Sequence, residues 1–398
     1  MNTLTQKIYN PEELVSAFKK MYGESSEKMR VFSSPARINI IGEHIDYNGG
    51  KVFPAAINKY LYVAIRKRSD SKIIYNDLRF PGSYEFDINE NFVFDKKNDY
   101  ANYLNGILSE IKKAGFLFPC GFEILMVSNI PAGGGISSSS ALECGFAYAV
   151  SETFGFGIDR VTIAKLGQLS EHRFIGLNCG IMDQFIIATG KKNTAELLDC
   201  ASLEYEYAPL DLSDFCFVVM NTNKMRKLSD SKYNERRSQC EKALKLLNEA
   251  GVKCSNLCEL TVEQWKDAEV FIKDEILLRR ARHCVYENRR VLDAFNAVKN
   301  GNLAELGELL NKSHESLKSD YEVTGVELDT LAFAAQKQEG CLGARMTGAG
   351  FGGCAIALVR KSQVEKFEEN VQAEYTKVTG YEAGFFACET GDGVAALF

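Results

Sequence analysis

Tryptophan, histidine and proline are scarce in this chain, with one, four and seven among 398 residues. Four histidines (His44, His172, His283 and His314) cannot supply a set of imidazole metal cages. The 12 cysteines form no CxxC, and only Cys254 and Cys258 lie close together, at a spacing that fits no common zinc pattern. Unpaired cysteines in such number predict a reducing compartment, with the thiols acting as small buried apolar groups. No apolar run approaches membrane-spanning length. The opening MNTLTQKIYNPEEL lacks a basic-then-apolar signal segment, so a cytoplasmic protein with no membrane partner is expected. Positive charge is also short, 47 Lys and Arg against 53 Asp and Glu for a net charge of −6, which argues against a nucleic-acid partner. The one basic cluster, Arg279, Arg280, Arg282, Arg289 and Arg290, reads as a solvated helix face. Repeats, low-complexity tracts and long linkers are missing too.

What is present is enough apolar residue, 45%, for an ample core, in a chain long enough for two domains. The most informative stretch runs from Pro131 through Gly133, Gly134, Gly135 and Ile136 to Ser137, Ser138, Ser139 and Ser140. Glycines let the backbone approach a ligand closely. The following segment, Ser137 to Val150, has the spacing of a helix whose unpaired N-terminal N–H groups would attract an anion. An ordinary serine-capped helix start is the alternative, and the density of Gly and Ser favours phosphate.

Earlier in the chain, Asn10 caps a predicted helix from Pro11 to Met21. A strand at Ile38–Ile41 ends at Gly42, and Asn48-Gly49-Gly50 makes a tight turn before the apolar run Val52–Ile57. Between them Glu43, His44, Asp46 and Tyr47 form either a solvated loop or a set of groups able to grip a polyol. Tyr60–Arg66 and Phe122–Val127 read as strands, and Tyr100–Gly115 and Val161–Phe174 as helices, the latter carrying Glu171 near its end. Asp183 lies in the apolar segment GLNCGIMDQFIIATG. It is either a capping or ion-paired carboxylate or, with a buried arginine partner, a catalytic one.

The second half opens with a buried strand, Phe215–Met220. A helix with Tyr233, Arg236, Cys240 and Leu247 on its repeat follows, and then a run of helices over Ile276–Ser319. Gly348-x-Gly350-x-x-Gly353 matches the dinucleotide fingerprint in form, but a β-rich run, Cys354–Val359, follows it where a helix is required. A rigid wall beside a ligand suits it better. A helix at Val364–Val378 and a strand at Gly384–Cys388 close the chain. The polar stretch before Phe215 is the natural domain break, with domains over 1–206 and 207–398.

Together, ARINIIGEHIDYNGG, IPAGGGISSSSALE, CGIMDQF, SHESLKSDYEVTGVELD and GARMTGAGFGGC resemble the motifs of the GHMP small-molecule kinases, and within them the galactokinases, over nearly the whole chain from Val31. The resemblance implies an α+β, two-domain fold. An N-terminal α/β domain with a mixed sheet would face a ferredoxin-like C-terminal domain across the active site. It implies ATP as phosphoryl donor, Mg²⁺ as cofactor and galactose as acceptor at C1, in a monomer or weak homo-oligomer. Arg37 and Asp183 correspond to the catalytic pair. Glu43, His44, Asp46, Gly180 and Tyr233 match sugar-contacting positions, and Gly133 to Ser139 the nucleotide phosphate loop. Ser139 and Glu171 match magnesium ligands, and Tyr100 and Tyr103 lie near the adenine-side aromatics. Ala36 stands where the signature often has glycine, and Ile136 and Ser140 replace residues that are often Leu and Ala; none removes a needed donor. An N-acetylgalactosamine kinase and a catalytically silent sugar and ATP sensor are the alternatives.

Overall fold

The computed structural model describes residues 10–131, 135–224 and 229–398. Gly133 and Gly134 of the expected phosphate loop lie outside the described residues. Among the described residues there are twelve strands: β1 (Arg30–Ile41), β2 (Lys51–Lys67), β3 (Lys72–Asp77), β4 (Phe80–Asp87), β5 (Phe122–Ser128), β6 (Thr194–Asp199), β7 (Tyr205–Pro209), β8 (Phe215–Asn221), β9 (Cys341–Thr347), β10 (Cys354–Arg360), β11 (Gly384–Cys388) and β12 (Ala395–Ala396). The helices are α1 (Pro11–Tyr22), α2 (Ala101–Lys113), α3 (Ser138–Phe154), α4 (Arg160–Ser170), α5 (Met182–Thr189), α6 (Ser229–Glu249), α7 (Val262–Ala268), α8 (Glu275–Lys299), α9 (Leu303–Ser316), α10 (Gly325–Gln336) and α11 (Val364–Thr379). None of the described helices is long and apolar enough to cross a membrane.

The first sheet has the order β12-β1-β2-β5-β3-β4, with β6 joining β2 and β7 joining β6. It is mixed, because β3 and β5 run parallel while the other pairs are antiparallel. Alternation of side chains sorts its two faces. Val31, Ala64, Leu125 and Val127 meet Leu14 and Phe18 of α1. Phe32, Val63, Ile65, Ile124 and Met126 face the larger core. The apolar runs Val52–Ile57 and Tyr60–Arg66 prove to be one strand, β2, whose pairing with β1 shifts register between Pro35 and Ala36.

The second sheet, β11-β8-β10-β9, is antiparallel throughout. Numbered along the chain its strands lie 4-1-3-2, the ferredoxin-like order, with α6 to α10 inserted between its first and second strands. The boundary at 206/207 falls inside β7, where Glu206 and Tyr207 pair with Leu197 and Glu196 of β6. The change of sheet therefore falls between Pro209 and Phe215. The C-terminal end also returns to the first sheet, where Ala396 pairs with Phe32.

Candidate active site

β1 carries Arg37 and ends in a loop that α8 grips from below. His283 donates from Nε2 to the Glu43 carbonyl at 3.0 Å, and Glu287 accepts from the Gly42 N–H at 3.0 Å. Asn288 accepts from the Lys51 N–H at 2.8 Å where the loop rejoins β2. Inside the loop, Asn48 donates to the His44 carbonyl at 2.9 Å, and His44 itself adopts a left-handed backbone with φ of 62°. A non-glycine residue held there is strained and needs such surrounding support.

Asp183 sits in the first turn of α5. Arg37 donates to it from Nε at 2.7 Å and from Nη2 at 2.6 Å, a bidentate pair. Arg37 is 4% exposed and Asp183 28%, so the guanidinium is buried while the carboxylate faces open space. Arg37 Nη1 also donates to the Gly135 carbonyl at 3.0 Å, tying the pair to the glycine–serine loop. Ser137 completes the link. It has φ of 61° at the start of α3 and makes no capping bond; its hydroxyl donates to Asp183 instead. The ordinary-cap reading of that serine is thereby set aside.

The polar side chains of the first loop converge on the same space. Glu43 accepts from the Gly348 N–H at 2.7 Å and the Thr347 hydroxyl at 3.1 Å, with the buried Arg345 guanidinium 3.4 Å away. Burial raises its pKa against the pull of Arg345 and Arg37. Asp46 is pushed up to about 7, first by burial and next by the charge of Asp183. A Cβ on Gly180 would overlap the Asp46 carboxylate, so a side chain there would displace that carboxylate. The ring of Tyr233 on α6 packs tilted 5.5 Å from His44 and edge-on 5.2 Å from Tyr47, centre to centre. Burial, and then the charge of Asp46, holds its phenol well above the usual range.

On the opposite side, Ser138, Ser139 and Ser140 open α3, whose first N–H groups have no intrahelical acceptor. Glu171 lies within hydrogen-bonding reach of Ser139. The expected helix over Val161–Phe174 widens to a π-turn at Glu171–Ile175, which turns Glu171 inward. Burial raises the Glu171 carboxyl. Behind it, Glu143 is fully buried and raised further, by burial and by the charge of Glu171.

These groups line one cavity of about 320 Å³: Arg37, Glu43, His44, Asp46, Gly135, Ser137 to Ser140, Glu171, Gly180, Asp183 and Tyr233. Tyr100 and Tyr103 do not line it. They stand at the start of α2, with the Tyr100 ring 5.9 Å from Phe80 and 5.3 Å from Tyr84. Gly348 and Ala349 do line it, as the rigid wall expected of that glycine stretch. Sequence reasoning missed Leu177, Cys179, Met182 and Gln184 of the lining, although they flank Gly180 and Asp183. It also missed Thr347, Arg345 and His283, whose roles arise from contacts between distant segments.

Residues 16–67 match the family model described as the galactokinase galactose-binding signature. Residues 102–191 match the GHMP kinases N terminal domain, and residues 294–377 the GHMP kinases C terminal model. A galactokinase of Clostridium tetani is 49% identical over 96% of this chain and 97% of its own length. One from Streptococcus suis is 50% identical over 98% and 99%. Among solved structures, Lactococcus lactis galactokinase complexed with galactose matches with a TM-score of 0.93 at 45% identity, covering 97% of this chain and 99% of that one. The mevalonate kinase of Methanococcus jannaschii shares the fold, with a TM-score of 0.64 at 21% identity over 93% and 100%.

Proposed function

Because this chain belongs to the galactokinases, within the GHMP kinases, we infer how its cavity carries out the ATP-dependent phosphorylation of galactose at the C1 hydroxyl. The observation that carries the inference is the Arg37–Asp183 pair, set between the Glu43–Tyr47 loop and the start of α3. Phosphoryl transfer asks a protein for positioning and charge stabilisation more than for covalent chemistry.

Asp183 receives three hydrogen bonds, two from Arg37 and one from Ser137, which fix its carboxylate plane. A lone pair of Oδ1 remains to accept from the C1 hydroxyl, orienting it for attack and taking its proton as transfer proceeds. Arg37 stays cationic beside the reacting phosphate and offsets charge developing there. The N–H groups at the start of α3 hold the ATP phosphates, with the stretch Gly133 to Gly135 leading into them. Glu43, Asp46 and Tyr233 meet the ring hydroxyls, His44 lies against the sugar with its ring while both its nitrogens bond within the protein, and Gly180 makes room for the Asp46 carboxylate. A site built on such bonds rejects an epimer, because its buried polar groups would be left unpaired.

The oxygen donors fit Mg²⁺. Among the described residues no cluster of three or more His, Cys, Asp or Glu could cage a metal. Magnesium favours one or two protein oxygens with phosphate and water completing its shell, and Ser139 and Glu171 offer that set. When bound, it would neutralise and orient the β- and γ-phosphates. Tyr100 and Tyr103 are assigned to the adenine side. In support, the Tyr100 hydroxyl is buried with no hydrogen-bond partner among the described residues. Twelve free cysteines support a reducing, cytoplasmic setting. We place the domain junction between Pro209 and Phe215, where the sheets change.

Glu43→Ala tests the sugar assignment. Removing a buried partner of this kind should raise the galactose KM about tenfold or more, while the ATP KM changes by less than about twofold. An equal rise in both constants would contradict it.

A further inference from the structure

We propose that Tyr321 is a positioning residue of the sugar site, acting through the Tyr47 hydroxyl on the imidazole of His44. The proposal rests on the assignment of the Glu43–Tyr47 loop to galactose. Tyr321 does not line the cavity and touches neither phosphate-loop nor reacting groups.

The argument follows the protons. His44 Nε2 lies 3.2 Å from the Ala349 carbonyl, which can only accept, so Nε2 carries the proton. Nδ1 is then a lone pair, and the Tyr47 hydroxyl at 2.8 Å must donate to it. With its one proton committed, Tyr47 can only accept from the Tyr321 hydroxyl at 3.0 Å. Tyr321 in turn accepts from the Cys240 thiol, also at 3.0 Å. The Cys240 thiol also lies 3.9 Å from Cys284 Sγ, but the Tyr321 hydroxyl is nearer and has given its own proton to Tyr47, so the chain runs in one direction from Cys240 to Ala349. His44, Tyr321 and Cys240 are buried, which keeps water from replacing a member. Burial and the neighbouring His283 hold the His44 imidazole down to about 3, so it stays neutral across the working range.

Both ring nitrogens of His44 are thus committed within the protein. The imidazole acts as a bracket that pins the sugar loop to the Gly348–Ala349 wall. Tyr321 anchors that bracket and is itself rigidly held. Its ring lies 4.9 Å from His44 and 4.5 Å from His283, and its carbonyl accepts from Arg236 Nε at 2.7 Å. It ends a π-turn, Leu317–Tyr321, and the next residue, Glu322, is left-handed with φ of 56°. Tyr233, Arg236 and Cys240 recur at three- and four-residue spacing on α6, so one helix face meets the sugar, the Tyr321 carbonyl and the Tyr321 hydroxyl.

The test is a double-mutant cycle read in steady-state kinetics of the full chain. Tyr321→Phe keeps the ring between the two imidazoles, so the fold should survive. Tyr47→Phe and Tyr321→Phe should each raise the galactose KM about tenfold, the size of a neutral buried hydrogen bond, with the ATP KM nearly unchanged. The double variant should be no worse than the weaker single variant, because both break one chain. An unchanged galactose KM in Tyr321→Phe, even with a lowered melting temperature, would reduce the residue to packing and overturn the proposal. So would fully additive effects, or an equal rise in the ATP KM. Independently, ¹⁵N spectra of the unmodified protein should show His44 protonated at Nε2; protonation at Nδ1 would reverse the chain and refute it. Glu43→Ala separates the two levels: a galactose KM unmoved there removes the sugar-site assignment itself, whereas a large effect there with none in Tyr321→Phe removes this proposal alone.

Discussion

In the proposed mechanism Asp183 concentrates the chemistry in one carboxylate, and its partners in the fold are all donors. Replacing it with asparagine keeps the size but puts an amide N–H against a guanidinium or a serine hydroxyl and removes the acceptor for the sugar proton. Asp183→Asn is expected to lower kcat by about 10²- to 10⁴-fold, the range for loss of a positioned acid–base group, with the fold retained by circular dichroism. Near-full activity would contradict the assigned role. Asp46 makes a different prediction. Its pKa rises from 3.8 unfolded to about 7 folded, so the folded protein retains a proton that the unfolded chain gives up. That contribution to stability is complete at low pH and is lost as pH rises through about 7. Asp46→Asn, which has no proton to lose, should therefore gain stability relative to wild type between pH 4 and 8 in urea titrations, while binding galactose more weakly. A constant difference across that range would count against the shift.

At the scale of elements, the site depends on short irregular segments held by regular ones. Gly180, just before α5, leaves space for the Asp46 carboxylate. Gly180→Ala should raise the galactose KM about tenfold or more by displacing Asp46, with a much smaller change for ATP; an unchanged galactose KM would show that the loop yields freely. The pieces of this arrangement that sequence reveals are those carried by local chemistry. The Gly–Ser run, the carboxylate in an apolar segment and the crowded Glu43–Tyr47 loop were all legible, and all reach the cavity. What stayed hidden depends on contacts between distant segments. β6 escaped because Glu196 points inward and breaks the apolar alternation, its carboxylate accepting from Thr189 at 2.8 Å inside the core. The π-turn at Glu171 escaped because a helical period looks the same whether or not one turn widens. His283 beneath Glu43 and Tyr321 beside Tyr47 look like ordinary core residues until the chain is folded.

For the whole molecule, the cavity draws its walls from both halves: Arg37, the Glu43 loop and the start of α3 from the first, Tyr233 and the Gly348–Ala349 wall from the second. The C-terminal end reinforces this union. Val394 is fully buried, Arg160 donates to its carbonyl at 2.7 Å, and Ala396 pairs with Phe32. Deleting residues 390–398 should lower the melting temperature by about 5 °C or more, given the buried surface and strand pairing lost; an unchanged transition would show that the returning strand is dispensable. The most direct test of the account as a whole is ADP release by purified protein with ATP and Mg²⁺, measured with galactose, N-acetylgalactosamine, glucose, arabinose and no sugar. The account predicts release with galactose far above every other condition, because the cavity's polar groups are arranged for one set of hydroxyls. Equal or greater release with another sugar, or none with galactose while both substrates still bind, would contradict it.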